Sequence, residues 1–111
     1  MPGSPKKSRY MLSKQKEAVY RYRLMDRLLR RTTKLGLARL KLPATASVLD
    51  LGCGIGETAC YFAKEEFPEG HVTGVDAVPY FVNFAIQRAA EKAVENISFI
   101  CSDAMEFDCG I

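Results

Sequence analysis

The sequence is poor in the patterns that mark metal-binding and membrane-spanning proteins. It holds a single histidine, His71, and its four cysteines form no Cys-x-x-Cys pair. Because the histidine is not near-spaced to any cysteine, the pattern disfavours a metal site. No run approaches the roughly 20 apolar residues that cross a bilayer as a helix. We interpret the cysteines as reduced thiols of a cytosolic protein: Cys53, Cys60, Cys101 and Cys109.

The beginning of the chain also lacks the apolar run of a secretory signal peptide. Residues 1–9 are rich in proline, glycine, serine and lysine, and this composition predicts a disordered tail. Residues 1–41 hold many basic residues and few acids, which is also typical of organelle transit sequences. We expect a cytoplasmic protein and keep organelle import as the alternative.

Each part of the chain is short of charge of one sign. Residues 1–41 contain 13 lysines and arginines but two acids, whereas residues 42–111 contain three basic and 11 acidic residues. The formal net charge of +3 hides this division. The sequence therefore predicts a basic helical arm over residues 10–41 and an acidic body over residues 42–111.

The apolar pattern of the body alternates between strand-like and helix-like segments. This alternation predicts a Rossmann-like α/β fold, a parallel sheet with right-handed crossovers and helices on both faces. Pro79 opens the second helix, since its fixed φ suits a first helical position, and Asn96 is expected to close it. The predicted strands are 47–51, 71–76 and 97–101, and the predicted helices are 56–66 and 79–94.

Three strands are fewer than such a sheet usually has. Residues 107–111 read as the entry to a fourth strand, so we expect an incomplete domain. The apolar strand at 48–51 would then lie at an unprotected edge, which natural proteins avoid. Such an edge could pair with another chain and form a homo-oligomer.

The sharpest local signal is the run from Val48 to Gly56. A buried strand leads directly into three glycines at alternate positions, and a helical stretch follows. Glycine permits positive φ and lets a ligand approach bare backbone, while the free N–H groups of the following helix face that ligand. Strand, glycine turn and helix together predict a nucleotide-type cofactor site.

Three acids follow the three predicted strands at equivalent places. Asp50, Asp76 and Asp103 would share one edge, because the carboxyl ends of parallel strands meet there. Asp76 is predicted to accept hydrogen bonds from a ribose diol, and Asp103 could accept from an exocyclic amine. Their neighbours Ala77, Val78 and Met105 could sandwich a base. The alternative for Asp50 and Asp103 is that they cap turns.

These segments resemble the class I S-adenosylmethionine-dependent methyltransferases, in particular their small-molecule branch. The resemblance covers residues 45–108 and consists of Val-Leu-Asp-Leu-Gly-Cys-Gly-Ile-Gly at 48–56, Thr-Gly-Val-Asp at 73–76 and Ile-Ser-Phe-Ile-Cys-Ser-Asp-Ala at 97–104. It implies S-adenosyl-L-methionine as cofactor and a small organic methyl acceptor. In the family's pattern Asp50, Gly52, Gly54 and Gly56 hold the methionine part, Asp76 the ribose, and Asp103 with Ala104 the adenine amine.

The resemblance assigns no catalytic residue. In the family, the half of the domain that follows carries the fourth-strand motif and most of the acceptor pocket, so we expect this chain alone to be inactive. Two alternatives stay open. One is a catalytically silent binding or assembly module. The other is a dinucleotide-binding Rossmann domain, since Gly54-x-Gly56-x-x-Ala59 with Asp76 fits that looser fingerprint.

The basic arm has two interpretations as well. Its apolar patch, Leu24, Met25, Leu28 and Leu29, recurs at helical spacing, and Gly36 is expected to break the arm into two helices. We favour a solvated basic face on a helix whose apolar stripe covers the cofactor cleft, as extra N-terminal helices do in the family. Contact with nucleic acid or with an anionic membrane surface is the alternative.

Overall fold

The fold is a small parallel sheet preceded by one long helix. A computed structural model describes the backbone of residues 5–107 and the side chains of residues 14–107. Residues 1–4 of the predicted tail and residues 108–111 of the predicted fourth strand lie outside the described part. The elements are α1 Pro5–Leu40, β1 Ser47–Leu51, α2 Glu57–Tyr61, a π-helical segment Phe62–Glu66, β2 His71–Asp76, α3 Pro79–Glu91 and β3 Ile97–Cys101.

The three strands form one parallel sheet in the order β1-β2-β3. Val48 pairs with Val72, and Val72 pairs with Ile97, so the three apolar side chains stand in one row. All three strands have the bounds that the sequence predicts, and the Rossmann-like parallel sheet is confirmed. β1 lies at one edge of this sheet and β3 at the other.

The two crossover helices lie on the same face of the sheet. Glu57 at the start of α2 forms ion pairs with Arg88 and Lys92 near the end of α3, at 3.3 and 2.9 Å. Among the described residues, the predicted crossover helices therefore cover one face of the sheet and not both. The core on that face consists of Ala59, Ala63 and Val72 with partly buried neighbours, whereas Leu49 and Leu51 on the other side of β1 are exposed.

The end of the first crossover is held by an asparagine from far along the chain. The N–H of Phe67 donates to the carbonyl of Phe62, which closes a π-type turn at 2.7 Å. The Asn96 amide donates to the carbonyls of Ala63, Phe67 and Gly70 at 2.9, 3.0 and 3.2 Å. The expectation that Asn96 closes α3 is wrong, because its donors satisfy the helix end of the other crossover.

α3 ends at Glu91 instead of continuing to 94. Ala93 adopts a left-handed conformation with φ of 55°, and the N–H of Val94 returns to the carbonyl of Ala89 at 3.0 Å. This is the geometry of a Schellman-type helix end, which stops the helix and turns the chain towards β3.

The arm is one helix without a break. Gly36 is helical with open space around it, so the predicted break is wrong. A single glycine costs about 1 kcal/mol relative to alanine, which the strong helix formers on both sides offset. The helix also begins at Pro5, inside the predicted tail, since proline is tolerated in a first turn. No helix among residues 5–107 has the length and hydropathy of a membrane span.

Candidate cofactor site

The loop between β1 and α2 is fixed by the end of β2. The N–H groups of Gly52 and Cys53 both donate to the carbonyl of Val75, at 2.7 and 2.9 Å. Gly52, Gly54 and Gly56 all have positive φ, of 73°, 55° and 78°. The loop therefore folds back over the carboxyl end of the neighbouring strand, where the predicted site lies.

The glycines at the two ends of the loop have different neighbours. A Cβ on Gly56 would lie 2.8 Å from Ala85 Cβ and 2.8 Å from Phe99 Cζ, whereas a Cβ on Gly52 would meet nothing within 4 Å. Gly56 is thus required by packing between the loop, α3 and β3. Gly52 leaves free space beside the backbone, which is the property that a bound ligand needs.

Asp76 is oriented by the backbone on both of its oxygens. The N–H of Gly54 donates to Oδ2 and the N–H of Val78 donates to Oδ1, each at 2.9 Å. An ionised carboxylate offers about four lone-pair positions, so each oxygen keeps acceptor capacity for a ligand. Val78 itself is extended at the start of α3 and makes no side-chain cap.

Asp50 and Asp76 lie at this edge of the sheet, and neither has a cationic partner among the described residues. Burial, followed by repulsion from Asp76, raises the pKa of Asp50 above its ordinary value. Burial and the charges of both acids raise the pKa of Cys53 to about 12. The Cys53 thiol is therefore protonated at neutral pH and is not a nucleophile.

α1 forms the outer wall of a cleft of about 300 Å³ above the glycine loop. The Tyr22 ring would lie 3.7 Å from a Cβ on Gly54 and packs edge-on against Phe81 with centroids 5.5 Å apart. The residues around the cleft come from α1, the loop, the start of α2 and the end of β2: Tyr22, Met25, Asp26, Leu29, Thr33, Gly52, Cys53, Gly54, Ile55, Glu57, Thr58 and Asp76.

A polar contact joins α1 to α2 at the cleft. The Thr58 hydroxyl donates to Asp26 Oδ1 at 2.8 Å, and Arg30 pairs with the other oxygen of Asp26. The Arg30 guanidinium also lies over the Tyr61 ring, 3.9 Å from its centroid. Asp26 is therefore already neutralised by its own helix.

Glu57 is the second acid of the cleft with cationic partners. Burial alone would raise its pKa, but the hydrogen bond and charge of Lys92, followed by those of Arg88, hold the pKa below its ordinary value. Arg23 of α1 approaches the same carboxylate at 3.6 Å. Asp76 is the acid of the cleft that no described basic side chain neutralises.

The structure brings some of the predicted residues together and leaves others apart. Gly52, Gly54 and Asp76 line the cleft. The residues around the cleft do not include Asp50, Gly56, Ala77 or Val78.

The remaining predicted residues, Asp103, Ala104 and Met105, form an exposed turn after β3. There the N–H of Met105 donates to Asp103 Oδ1 at 2.8 Å, which is the turn-capping contact of the alternative interpretation. The ligand roles of all ten residues stay predictions. No group of three potential metal ligands occurs among the described residues.

The prediction that the apolar stripe of α1 covers the cleft holds for Met25 and Leu29, but sequence reasoning missed the polar residues of α1 that face the cleft. Helical spacing identifies an amphipathic helix but does not identify which face meets the body. One signal was available, because Asp26 is the single acid between residues 18 and 41, in a run of basic residues. An isolated acid on a basic helix indicates a specific contact rather than a solvated face.

A glycine loop, an oriented carboxylate and a cleft at the carboxyl ends of parallel strands define a nucleotide-type cofactor-binding α/β domain. The sequence family described as "Methyltransferase domain" matches residues 43–110. The chain belongs to this family, and the prediction that it is part of a class I S-adenosylmethionine-dependent methyltransferase domain is confirmed.

Individual relatives are similar over parts of the chain. A tRNA (guanine-N(7)-)-methyltransferase from Rubrobacter xylanophilus is 46% identical over 55 residues, which are 50% of this chain and 24% of that protein. An S-adenosyl-L-methionine-dependent Diels-Alderase from Talaromyces variabilis is 37% identical over 84 residues, 76% of this chain and 27% of the relative.

A solved structure supports the same fold. It is an S-adenosylmethionine-dependent methyltransferase from Thiobacillus denitrificans in complex with S-adenosyl-L-homocysteine, which superposes with a TM-score of 0.60 at 37% identity. The match covers 70% of this chain and 31% of that one. The chain spans about a quarter of the length of the tRNA methyltransferase and of the Diels-Alderase.

Proposed function

We propose that the cleft between α1 and the glycine loop binds S-adenosyl-L-methionine. The bare backbone at Gly52 would admit the methionine part, and Asp76 would accept hydrogen bonds from the ribose hydroxyls. The cofactor would supply a methyl group on a positively charged sulfur, and this chain's residues would bind and orient it. Ala77 and Val78, which follow Asp76 directly, would contact the base.

The charge around the cleft carries this proposal. Asp26 and Glu57 have basic partners, whereas Asp50 and Asp76 have none among the described residues. A cationic cofactor would relieve the repulsion between these two acids. A dinucleotide would instead bring a pyrophosphate to an edge that already carries unneutralised negative charge, so the observation disfavours that alternative.

The same charge pattern favours a small organic acceptor over RNA. The cleft is lined by three acids and by no lysine or arginine, whereas binding of nucleic acid depends on basic contacts to phosphates. Relatives differ on this point, because one acts on tRNA by name and others, from Listeria monocytogenes, are demethylmenaquinone methyltransferases at 29% identity. The acceptor class therefore rests on the lining of the cleft.

Isothermal titration with S-adenosyl-L-methionine, S-adenosyl-L-homocysteine and NADH tests the proposal. We expect the wild-type chain to bind the first two and Asp76→Asn to weaken both by about 10–100-fold, because hydrogen bonds to a charged group contribute about 1.5–3 kcal/mol. The exposed acid Glu95 provides the matched control Glu95→Gln, which should leave affinity unchanged. Unchanged affinity in Asp76→Ala, or preference for NADH, would contradict the proposal.

A second measurement addresses the charge argument. Asp50→Asn should reduce the preference for the sulfonium cofactor over its neutral thioether product, because it removes one of two unpaired acids. Methyl transfer by the 111-residue chain alone is not expected, since it spans a minor share of its relatives' length. Binding without turnover therefore agrees with the proposal, and it is also what a silent cofactor-binding module would show.

A further inference from the structure

α1 has a second apolar surface that faces away from the cleft. Tyr22, Asp26 and Thr33 line the cleft. Leu24, Leu28 and Leu35 each follow one of them by two residues, which in an α-helix is a rotation of about 200°. The apolar patch expected to cover the cleft is therefore divided. Met25 and Leu29 face the cleft, and these three leucines, which we call the outer leucines, lie on a different side of the helix.

The outer leucines are exposed to solvent. Leu24, Leu28 and Leu35 retain 46%, 72% and 60% of their accessible surface. Single exposed leucines need no explanation, but Leu24 and Leu28 lie one turn apart on one face, and Leu35 lies two turns further along the same face. This leucine stripe therefore has the spacing of a helix surface that meets another apolar phase.

Exposed basic residues border this stripe on both sides. None of them forms an ion pair with an acid among residues 14–107, and Asp26, the one acid between residues 18 and 41, faces the cleft. The outer face therefore combines leucines with unneutralised positive charge. Its basic residues are Arg21, Arg27, Arg31, Lys34 and Arg39.

We propose that the outer face of α1 binds the surface of an anionic lipid bilayer. The outer leucines enter the boundary between headgroups and acyl chains, and the arginines extend to the anionic headgroups, as on interfacial amphipathic helices. The cleft then faces away from the bilayer. This inference does not depend on the identity of the cofactor.

Charge complementarity favours this partner over the other two candidates. In a pair of α1 helices most charged positions beside the leucine stripe would be basic, so a second copy would bring like charges together. Against nucleic acid, the leucines would occupy the centre of the contact without an apolar partner. An anionic bilayer satisfies both features at once.

Flotation of the whole 111-residue chain with lipid vesicles tests the proposal. We expect binding to vesicles of phosphatidylglycerol mixed with phosphatidylcholine, and little binding to pure phosphatidylcholine. Each basic residue near an anionic surface contributes about a fivefold change in affinity, so Arg21→Gln, Arg27→Gln and Arg31→Gln combined should weaken binding about 100-fold. Raising salt from about 0.1 M to about 1 M should weaken it too, since the screening length falls to about 3 Å.

The leucine component requires its own variant and control. Leu28→Glu should reduce vesicle binding by at least tenfold, because it places a charge in the apolar stripe. Leu42, which is 50% exposed in the linker after α1, provides the control Leu42→Glu, which should bind almost as well as wild type. Circular dichroism on each variant shows that the helix is retained.

Several outcomes would overturn the proposal. These are equal binding to neutral vesicles, equal loss in Leu28→Glu and Leu42→Glu, a concentration-dependent dimer abolished by Leu28→Glu, or tighter binding to a mixed tRNA sample than to anionic vesicles. Cofactor titration on the same variants separates the two proposals. Leu28→Glu should bind the cofactor as wild type does, whatever its behaviour on vesicles.

Discussion

The body and α1 are stabilised by different interactions, although both line the same cleft. In the body, Val72 and Val75 of the central strand β2 are fully buried. In α1, the most buried described side chains, Ala18 and Val19, are small, and large apolar residues such as Leu28 remain exposed. Tertiary packing thus fixes the body residue by residue. Helix propensity accounts for most of α1, and a few contacts near Asp26 position it.

The sharpest test of packing in the body uses two glycines with similar positive φ. Gly56→Ala should destabilise the protein by about 3 kcal/mol or more, because it adds a steric clash with Ala85 and Phe99 to the strain of positive φ. Gly52→Ala should cost only the conformational strain, about 1 kcal/mol. Urea unfolding of both variants checks this difference, and equal losses would contradict the packing argument.

Asn96→Ala should have the next largest effect. It removes the amide group that donates to three carbonyls at the end of the first crossover, and leaving partly buried acceptors without that donor costs about 2 kcal/mol. Asn83, which is exposed in α3, provides the control Asn83→Ala, which should be neutral or slightly stabilising because alanine favours helix. A loss below about 0.5 kcal/mol for Asn96→Ala would mean that water replaces the amide.

A substitution at the contact between α1 and the body should have a smaller effect on stability than either substitution in the body. Thr58→Val removes the hydroxyl that donates to Asp26 and keeps the side-chain shape, so α1 should lose about 1 kcal/mol of attachment. Hydrogen exchange should become faster in α1 while β2 stays protected. The exposed Thr32 of α1 gives the control Thr32→Val, and uniform acceleration of both regions would show that α1 and the body unfold as one unit.

Asp50→Asn should give the smallest change and one of opposite sign, stabilising the cofactor-free protein by up to about 1 kcal/mol at neutral pH. The native state holds the Asp50 proton more tightly than the unfolded chain, where the pKa is 3.8. Below pH 3.8 the charge of Asp50 therefore does not lower the stability of the wild type. The wild type loses stability relative to the variant as pH rises through the raised pKa. Thermal unfolding from acid to neutral pH measures this, and a pH-independent difference would contradict it.

The strands were predicted best from the sequence, because the pattern of buried residues in a strand is short and regular. The bounds of β1, β2 and β3 were predictable because buried strands form apolar runs bounded by turn residues. The break at Gly36 was wrong, because one glycine in a long run of helix formers does not stop a helix. The end of α3 was also missed, since Ala93 carries no sequence signal for its left-handed conformation.

The site was predictable in its loop but only in part in its wall, where the apolar stripe of α1 was expected to cover the cleft. Gly52, Gly54 and Asp76 follow directly from strand ends, whose position at one edge is a consequence of parallel topology. Tyr22, Met25 and Asp26 depend on how α1 docks, and docking is decided by contacts with Thr58 and Phe81 that are distant in sequence. Helix periodicity cannot supply that rotation.

The edge position of β1 has a further consequence for chemistry at the cleft. The glycine loop begins at the residue where β1 ends, so any segment that adds alongside β1 in parallel would finish next to Gly52. A segment bound there would therefore be positioned to select the molecule that receives the transferred group.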